Sequence, residues 1–191
     1  MLYLSLGLAL WCSVHLAPSV AISFRQQLLS QWGEAKYSLV FTVLVMASIA
    51  LMVFGWRSIQ PVFIYAPPVW GSLATLVLVL IAFIFFSAAN FKSNIKRFVR
   101  HPQLVGLVIW CAGHLFSNGD DRSLLLFGGL SIWVIVEIIL INKREGDWLK
   151  PERASFKQEL LTVVAGVVIF FVFSFLHPYL SGVPIVARLG L

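Results

Sequence analysis

A chain of 191 residues with 60% hydrophobic and only 12% charged side chains, and a mean hydropathy of +0.92, lies outside the range of soluble domains, which run roughly 45–50% apolar and about 25% charged. This excludes a sizeable water-soluble domain, and the net charge of +6 cannot be read as a nucleic-acid surface before the basic residues are located. The two cysteines lie inside apolar runs, which argues against a disulfide scaffold.

The predicted elements are six apolar runs, at about 2–17, 36–56, 68–90, 103–117, 122–142 and 158–180. Most approach the ~20 residues a helix needs to cross a ~30 Å hydrocarbon core, the first and fourth being short for it. The expectation is an all-α polytopic membrane bundle of about six transmembrane helices, one domain over 1–191 with the lipid bilayer as its solvent. The first run lacks the Lys/Arg flank of a secretory signal, and no transit-type stretch precedes it, so it reads as a retained helix. With six crossings, eleven Lys and Arg residues (Arg25, Lys36, Lys92, Lys96, Arg97, Arg100, Lys143, Arg144, Lys150, Arg153 and Lys157) fall on one face. Only Arg57, Arg122 and Arg188 fall on the other. That asymmetry predicts a cytoplasmic basic face and both termini on the periplasmic side of an inner membrane. Trp32, Tyr37 and Trp148 are the expected aromatic anchors at one interface, and Trp56, Tyr65, Trp70 and Tyr179 at the other.

The first run carries Trp11-Cys12-Ser13-Val14-His15-Leu16, and the fourth repeats it as Trp110-Cys111-Ala112-Gly113-His114-Leu115. Cys and His three apart share a helix face, and an ionisable side chain inside a span is costly enough to mark a functional site. Helix rise puts His15 roughly 20 Å and His114 roughly 13 Å from the outer boundary. If the first and fourth helices are neighbours, all four side chains share one central pocket. Three readings are open: buried imidazoles satisfied by carbonyls or hydroxyls of other helices, a tetrahedral Cys2His2 zinc site, or haem b held between His15 and His114. On the haem reading, Gly106 and Gly113 would let a flat macrocycle approach. No C-x-x-C-H run is present for covalent haem attachment.

At the cytoplasmic start of the fourth helix, Arg100-His101-Pro102 joins a helix-start signal to a candidate anion site. Asn118-Gly119-Asp120-Asp121 is a tight turn whose aspartates can cap the fifth helix. Glu137, a carboxylate well inside a span, falls roughly 22 Å from the outer face, near the depth of His15. An imidazole N–H is its natural support. His177 lies at the outer end of the sixth helix and reads as interfacial.

The stretch Arg100-His101-Pro102-Gln103-Leu104-Val105-Gly106, then Trp110, His114-Leu115, Asn118-Gly119-Asp120 and Leu126-Phe127-Gly128-Gly129, resembles the core signature of the NnrU family. His15-Leu16-Ala17-Pro18, Gly33 and Tyr37 resemble its N-terminal portion. The resemblance implies a bacterial inner-membrane protein associated with denitrification, that is, with nitrite and nitric oxide reduction. That family is in turn similar to the 15-cis-zeta-carotene isomerase, a haem b membrane enzyme acting on an apolar polyene. Its ligand set would map onto His15, His114 and, as an alternative ligand, Cys111. The lack of a plastid-type leader favours the bacterial member. Partners implied are respiratory proteins or a polyene, and no nucleic acid. The Arg-His-Pro start also resembles membrane methyltransferases. Those enzymes carry an acidic pair where this chain reads Arg144-Glu145-Gly146, a departure that counts against methyl transfer.

Overall fold

The computed structural model describes residues 1–185. It contains six helices: α1 (Leu2–Val20), α2 (Ile22–Ser58), α3 (Gly71–Asn90), α4 (Pro102–Ser117), α5 (Asp121–Glu145) and α6 (Phe156–Ser181). A 3-10 turn over Asn94–Arg97 follows α3. Among the described residues there is no strand, only an isolated bridge between Phe63 and Asp120. Five of the helices are long and apolar enough to cross a membrane, and α4, with 16 residues, is the short one. The all-α membrane bundle anticipated from the apolar runs is the fold observed.

One boundary differs. The stretch 18–35, expected to be a connection, is helical: α1 runs on to Val20, and α2 starts at Ile22. The break needed to turn the exposed segment 22–32 into the span sits at Gly33, where φ is +76°, a conformation that costs a residue with a Cβ.

Lipid tails supply no hydrophobic drive for helix association, so close packing at small residues carries it. A Cβ on Gly55 of α2 would lie 2.4 Å from the Leu4 backbone nitrogen, and one on Gly7 of α1 would lie 2.8 Å from the Ser48 carbonyl. The same device joins α6 to α3, since a Cβ on Gly166 would meet the Ile84 backbone at 2.7 Å. The helices thus form a ring, α1–α5–α4–α3–α6–α2, closed by a lighter contact between α6 and α2 beside the α1–α2 pair. The core that α1, α2, α4 and α5 share is built on Leu4, Leu8, Met52, Cys111, Trp133 and Val134.

Hydrogen bonds gather the connections into two ends, as six crossings require. At the basic end, Arg97 donates to the Pro151 carbonyl (2.6 Å), Asn94 exchanges bonds with Ala154, and Arg144 reaches Ser19 (3.1 Å). At the opposite end the 59–70 connection docks on the Asn118–Asp121 turn. Ile64 N–H donates to the Gly119 carbonyl at 2.8 Å, and Asp121 N–H to the Val62 carbonyl at 3.0 Å. A Cβ on Gly119 would sit 1.8 Å from the Tyr65 carbonyl oxygen, so no other residue fits that turn without moving the backbone. Asp120 caps α5 by accepting from Ser123 N–H (2.9 Å), as its position suggested.

Two expected interface anchors instead hold this end together. Tyr65 donates toward the Leu115 and Asn118 carbonyls. Burial first, then the Asp120 charge, push its phenol above the usual range, so it remains a donor. Trp56 is buried, donates to the Ser181 carbonyl, and lies 4.3 Å beneath the Arg122 guanidinium. Arg122, which the topology count treated as a loop charge, is itself 9% exposed. It donates to the Trp56 and Ile59 carbonyls at 3.0 and 3.3 Å. Arg188 lies outside the described residues.

Candidate functional site: two intramembrane cavities

The two Trp-Cys-x-x-His copies do the same local chemistry. His15 Nδ1 lies 2.9 Å from the Trp11 carbonyl oxygen, and His114 Nδ1 lies 2.8 Å from that of Trp110. A carbonyl only accepts, so Nδ1 carries the proton in both rings and Nε2 is the lone-pair nitrogen. Such a bond from the other ring nitrogen is what orients imidazoles that ligate metals. Each ring also packs on the indole of its own motif, at 4.1 Å in the first copy and 4.4 Å in the second.

The copies do not meet in one pocket. Helices α1 and α4 both pack on α5, whose Phe127, Leu130, Trp133 and Val134 fill the space between them. His114 and Phe127 line a cavity toward the outer end, while His15 and Trp133 line another toward the basic end. Cys111 is 0% exposed, sits in the core cluster and lines neither cavity, and Cys12 packs against the same cluster. Among the described residues no group of three or more His, Cys, Asp or Glu is placed to hold a metal. The motif residues are therefore not gathered as a Cys2His2 zinc site would need. Nor do Gly106 and Gly113 open onto a ligand. A Cβ on either would press on α3, at Ala82 and Leu78 respectively, which makes them small-residue contacts between helices.

The outer cavity, of about 310 Å³, is lined by α2 to α6. His177 of α6 lines it opposite His114, with ring centres 6.4 Å apart and ring planes 25° from parallel. Its Nδ1 lies 2.9 Å from the Val183 carbonyl oxygen, so it too has Nε2 as the lone-pair nitrogen. The first turns of α5 widen into a π segment over Leu124–Gly128, a feature frequent at functional sites. It sets the Phe127 ring 4.6 Å from His114, nearly parallel to it. Asn118, a candidate from the sequence, lines the same cavity and closes α4 by donating to the His114 carbonyl at 2.8 Å. His177 was read as interfacial and belongs instead to this site. The signal was available: His114 lies three residues from the end of α4 and His177 four from the end of α6, both pointing outward. Helix rise alone brings them to about the same depth.

The inner cavity, of about 790 Å³, lies between α1, α3, α4, α5 and the basic connections. Arg100, His101 and Glu137, singled out separately in the sequence, all line it with His15. Arg100 donates to the Gly146 carbonyl (2.7 Å) and pairs with Glu145 (3.4 Å), and His101 Nε2 meets Asn142 at 2.9 Å. Glu137 is 7% exposed and its Oε1 is held by Ser19, at 3.4 Å, rather than by an imidazole. Its Oε2 is buried and unpartnered, as are the indole N–H groups of Trp11 and Trp133. Each such group costs about 1–3 kcal/mol while unsatisfied, so three on one cavity wall call for an account.

A model of the family described as NnrU protein matches residues 3–185. The chain belongs to the NnrU family. No curated protein and no solved structure matches it.

The NnrU signature residues build both cavities. Arg100 to Pro102 edge the inner one, Trp110 and His114 line the outer one, Asn118-Gly119-Asp120 docks the 59–70 connection, and Leu126-Phe127 belongs to the π segment. Cys111 belongs to the core instead. Cys111→Ser is accordingly expected to leave absorption spectra in both oxidation states unchanged. A small fall in thermal stability, on the order of 1 kcal/mol, should accompany it, from a hydroxyl in an apolar site. A change in the axial-ligand signature of either state would overturn this and give Cys111 a ligand role.

Proposed function

We propose that this NnrU-family protein is a haem b protein of the bacterial inner membrane, serving nitrite and nitric oxide reduction, with His114 and His177 as the residues that hold the iron. The observation that carries the reading is the pair of imidazoles lining one cavity with ring centres 6.4 Å apart, each with its Nδ1–H tied to a main-chain carbonyl. Both imidazoles thus border the same space and would hold the iron there. The pairing of His15 with His114 that the sequence resemblance implies would need the two cavities to join across Phe127 and Trp133. Pairing with His177 needs no such movement. Bound haem would supply an iron centre able to take up and release one electron. The chain's own residues fix the imidazole tautomers, stack Phe127 beside His114, and line the site with largely apolar walls. The association with denitrification rests on the family resemblance.

The test is the absorption spectrum of purified protein, oxidised and reduced. A Soret band with low-spin features is expected, and its absence from protein made with ample haem would overturn the reading. A polyene isomerase is the second reading, favoured by the aromatic wall of Phe83, Phe170 and Phe173 in the same cavity. Conversion of a supplied cis-polyene would distinguish it.

The proposed orientation rests on the basic asymmetry of the sequence, eleven Lys and Arg residues in the connections of one face against Arg57, Arg122 and Arg188 for the other. A phosphatase fused to the C-terminus is expected to be active, as a periplasmic terminus requires. Activity confined to a cytoplasmic reporter would reverse the orientation.

A further inference from the structure

The proposed iron site leaves the inner cavity unused, and that cavity has the stronger unmet chemistry. Its wall holds two buried indole N–H donors without acceptors, on Trp11 and Trp133, and one buried carboxyl oxygen without a donor, on Glu137. His15 adds a lone-pair nitrogen, because its Nδ1–H is committed to the Trp11 carbonyl. Glu137 and Trp133 are 7% and 5% exposed, so bulk water does not serve them. A ligand that completes this wall must accept from the indoles and donate to the carboxyl or imidazole within a small distance. It must also be largely apolar, since Phe86, Leu104, Leu107 and Ile141 form much of the rest.

We propose that the inner cavity is a binding site, separate from the iron site, for the ring of an isoprenoid quinone or its quinol. A quinol hydroxyl both donates and accepts, and a quinone carbonyl accepts, so the ring oxygens match the unpaired groups. The apolar ring and tail are soluble where the cavity lies. An anionic ligand fits less well, for two reasons. Two of the cations on its edge are already engaged, Arg100 with Gly146 and Glu145 and His101 with Asn142. A buried carboxyl on the wall also disfavours negative charge beside it.

The experiment is equilibrium binding of a short-chain benzoquinone, and separately of its quinol under reducing conditions, to the purified full chain in detergent, read as ligand retained, which does not depend on haem content. Saturable binding is expected for the parent. Trp133→Phe, which keeps an aromatic ring but loses the N–H with the pyrrole half of the indole, should weaken it about tenfold. Glu137→Gln should weaken quinol binding by a similar factor. Lys96→Ala, at the edge of the cavity, should leave binding within a factor of two. If Trp133→Phe does not elute as the parent does in size-exclusion chromatography, Glu137→Gln carries the test. No saturable binding by the parent would overturn the proposal. So would loss of binding in Lys96→Ala with Trp133→Phe and Glu137→Gln unaffected, which would make this a site for an acidic lipid head group instead.

Discussion

Replacing His114 by alanine should remove most bound haem, and replacing His177 by alanine should either do the same or leave high-spin iron. His15→Ala should keep the low-spin spectrum. The reason is geometric: His177 faces His114 across the outer cavity, while His15 lines the inner one, beyond Phe127 and Trp133. Each imidazole is held by a main-chain carbonyl, so its removal leaves no nearby nitrogen in the same position. Optical and electron paramagnetic resonance spectra of the three variants, at matched yield and elution volume, decide the matter. Loss of haem in His15→Ala with retention in His177→Ala would show that the two cavities join in the loaded protein. The pairing expected from the repeated motif would then be the right one. Equal loss in all three would point to damage of the bundle rather than to ligation.

The second large effect is expected at the outer end, from Arg122→Ala. This guanidinium lies over Trp56, donates to two carbonyls at the end of α2, and approaches Asp120 at 3.6 Å. The last distance is within ion-pair reach but too long for a hydrogen bond. Truncation leaves the Trp56 and Ile59 carbonyls short of donors and Asp120, which is 14% exposed, short of its counter-charge. Breaking a largely buried pair from one side costs about 3 kcal/mol. Thermal unfolding in detergent should show the loss. Arg122→Lys should recover only part of it, because an ammonium lacks the planar fork that reaches two carbonyls at once. A melting curve for Arg122→Ala superimposable on the parent's would mean that the loop charge matters for orientation alone, as its sequence position first suggested.

Residue pattern alone was enough for the coarse architecture. Apolar runs near 20 residues have one stable form in a bilayer, since only a helix satisfies its own backbone there. Asp120 as the cap of α5 was equally legible, because capping is local. So was the family: the signature read from Arg100 to Gly129 lies within the family match over residues 3–185.

What sequence spacing could not decide is which helices touch. The repeated Trp-Cys-x-x-His pattern suggested one shared pocket, and its local chemistry is indeed the same twice over, a Trp carbonyl holding each Nδ1–H. The copies part because α5 packs between α1 and α4, a matter of long-range packing that no periodicity encodes. The same packing turns Cys111 into the core, sets Gly106 and Gly113 against α3, and brings His177 from an assumed interface to face His114. It also draws Arg122 under cover and gathers His15, Arg100, His101 and Glu137 around a second cavity. Local sequence chose each residue's tautomer, cap and turn; only the order of helices around the ring chose its neighbours, because side chains far apart in the chain meet by packing and not by spacing.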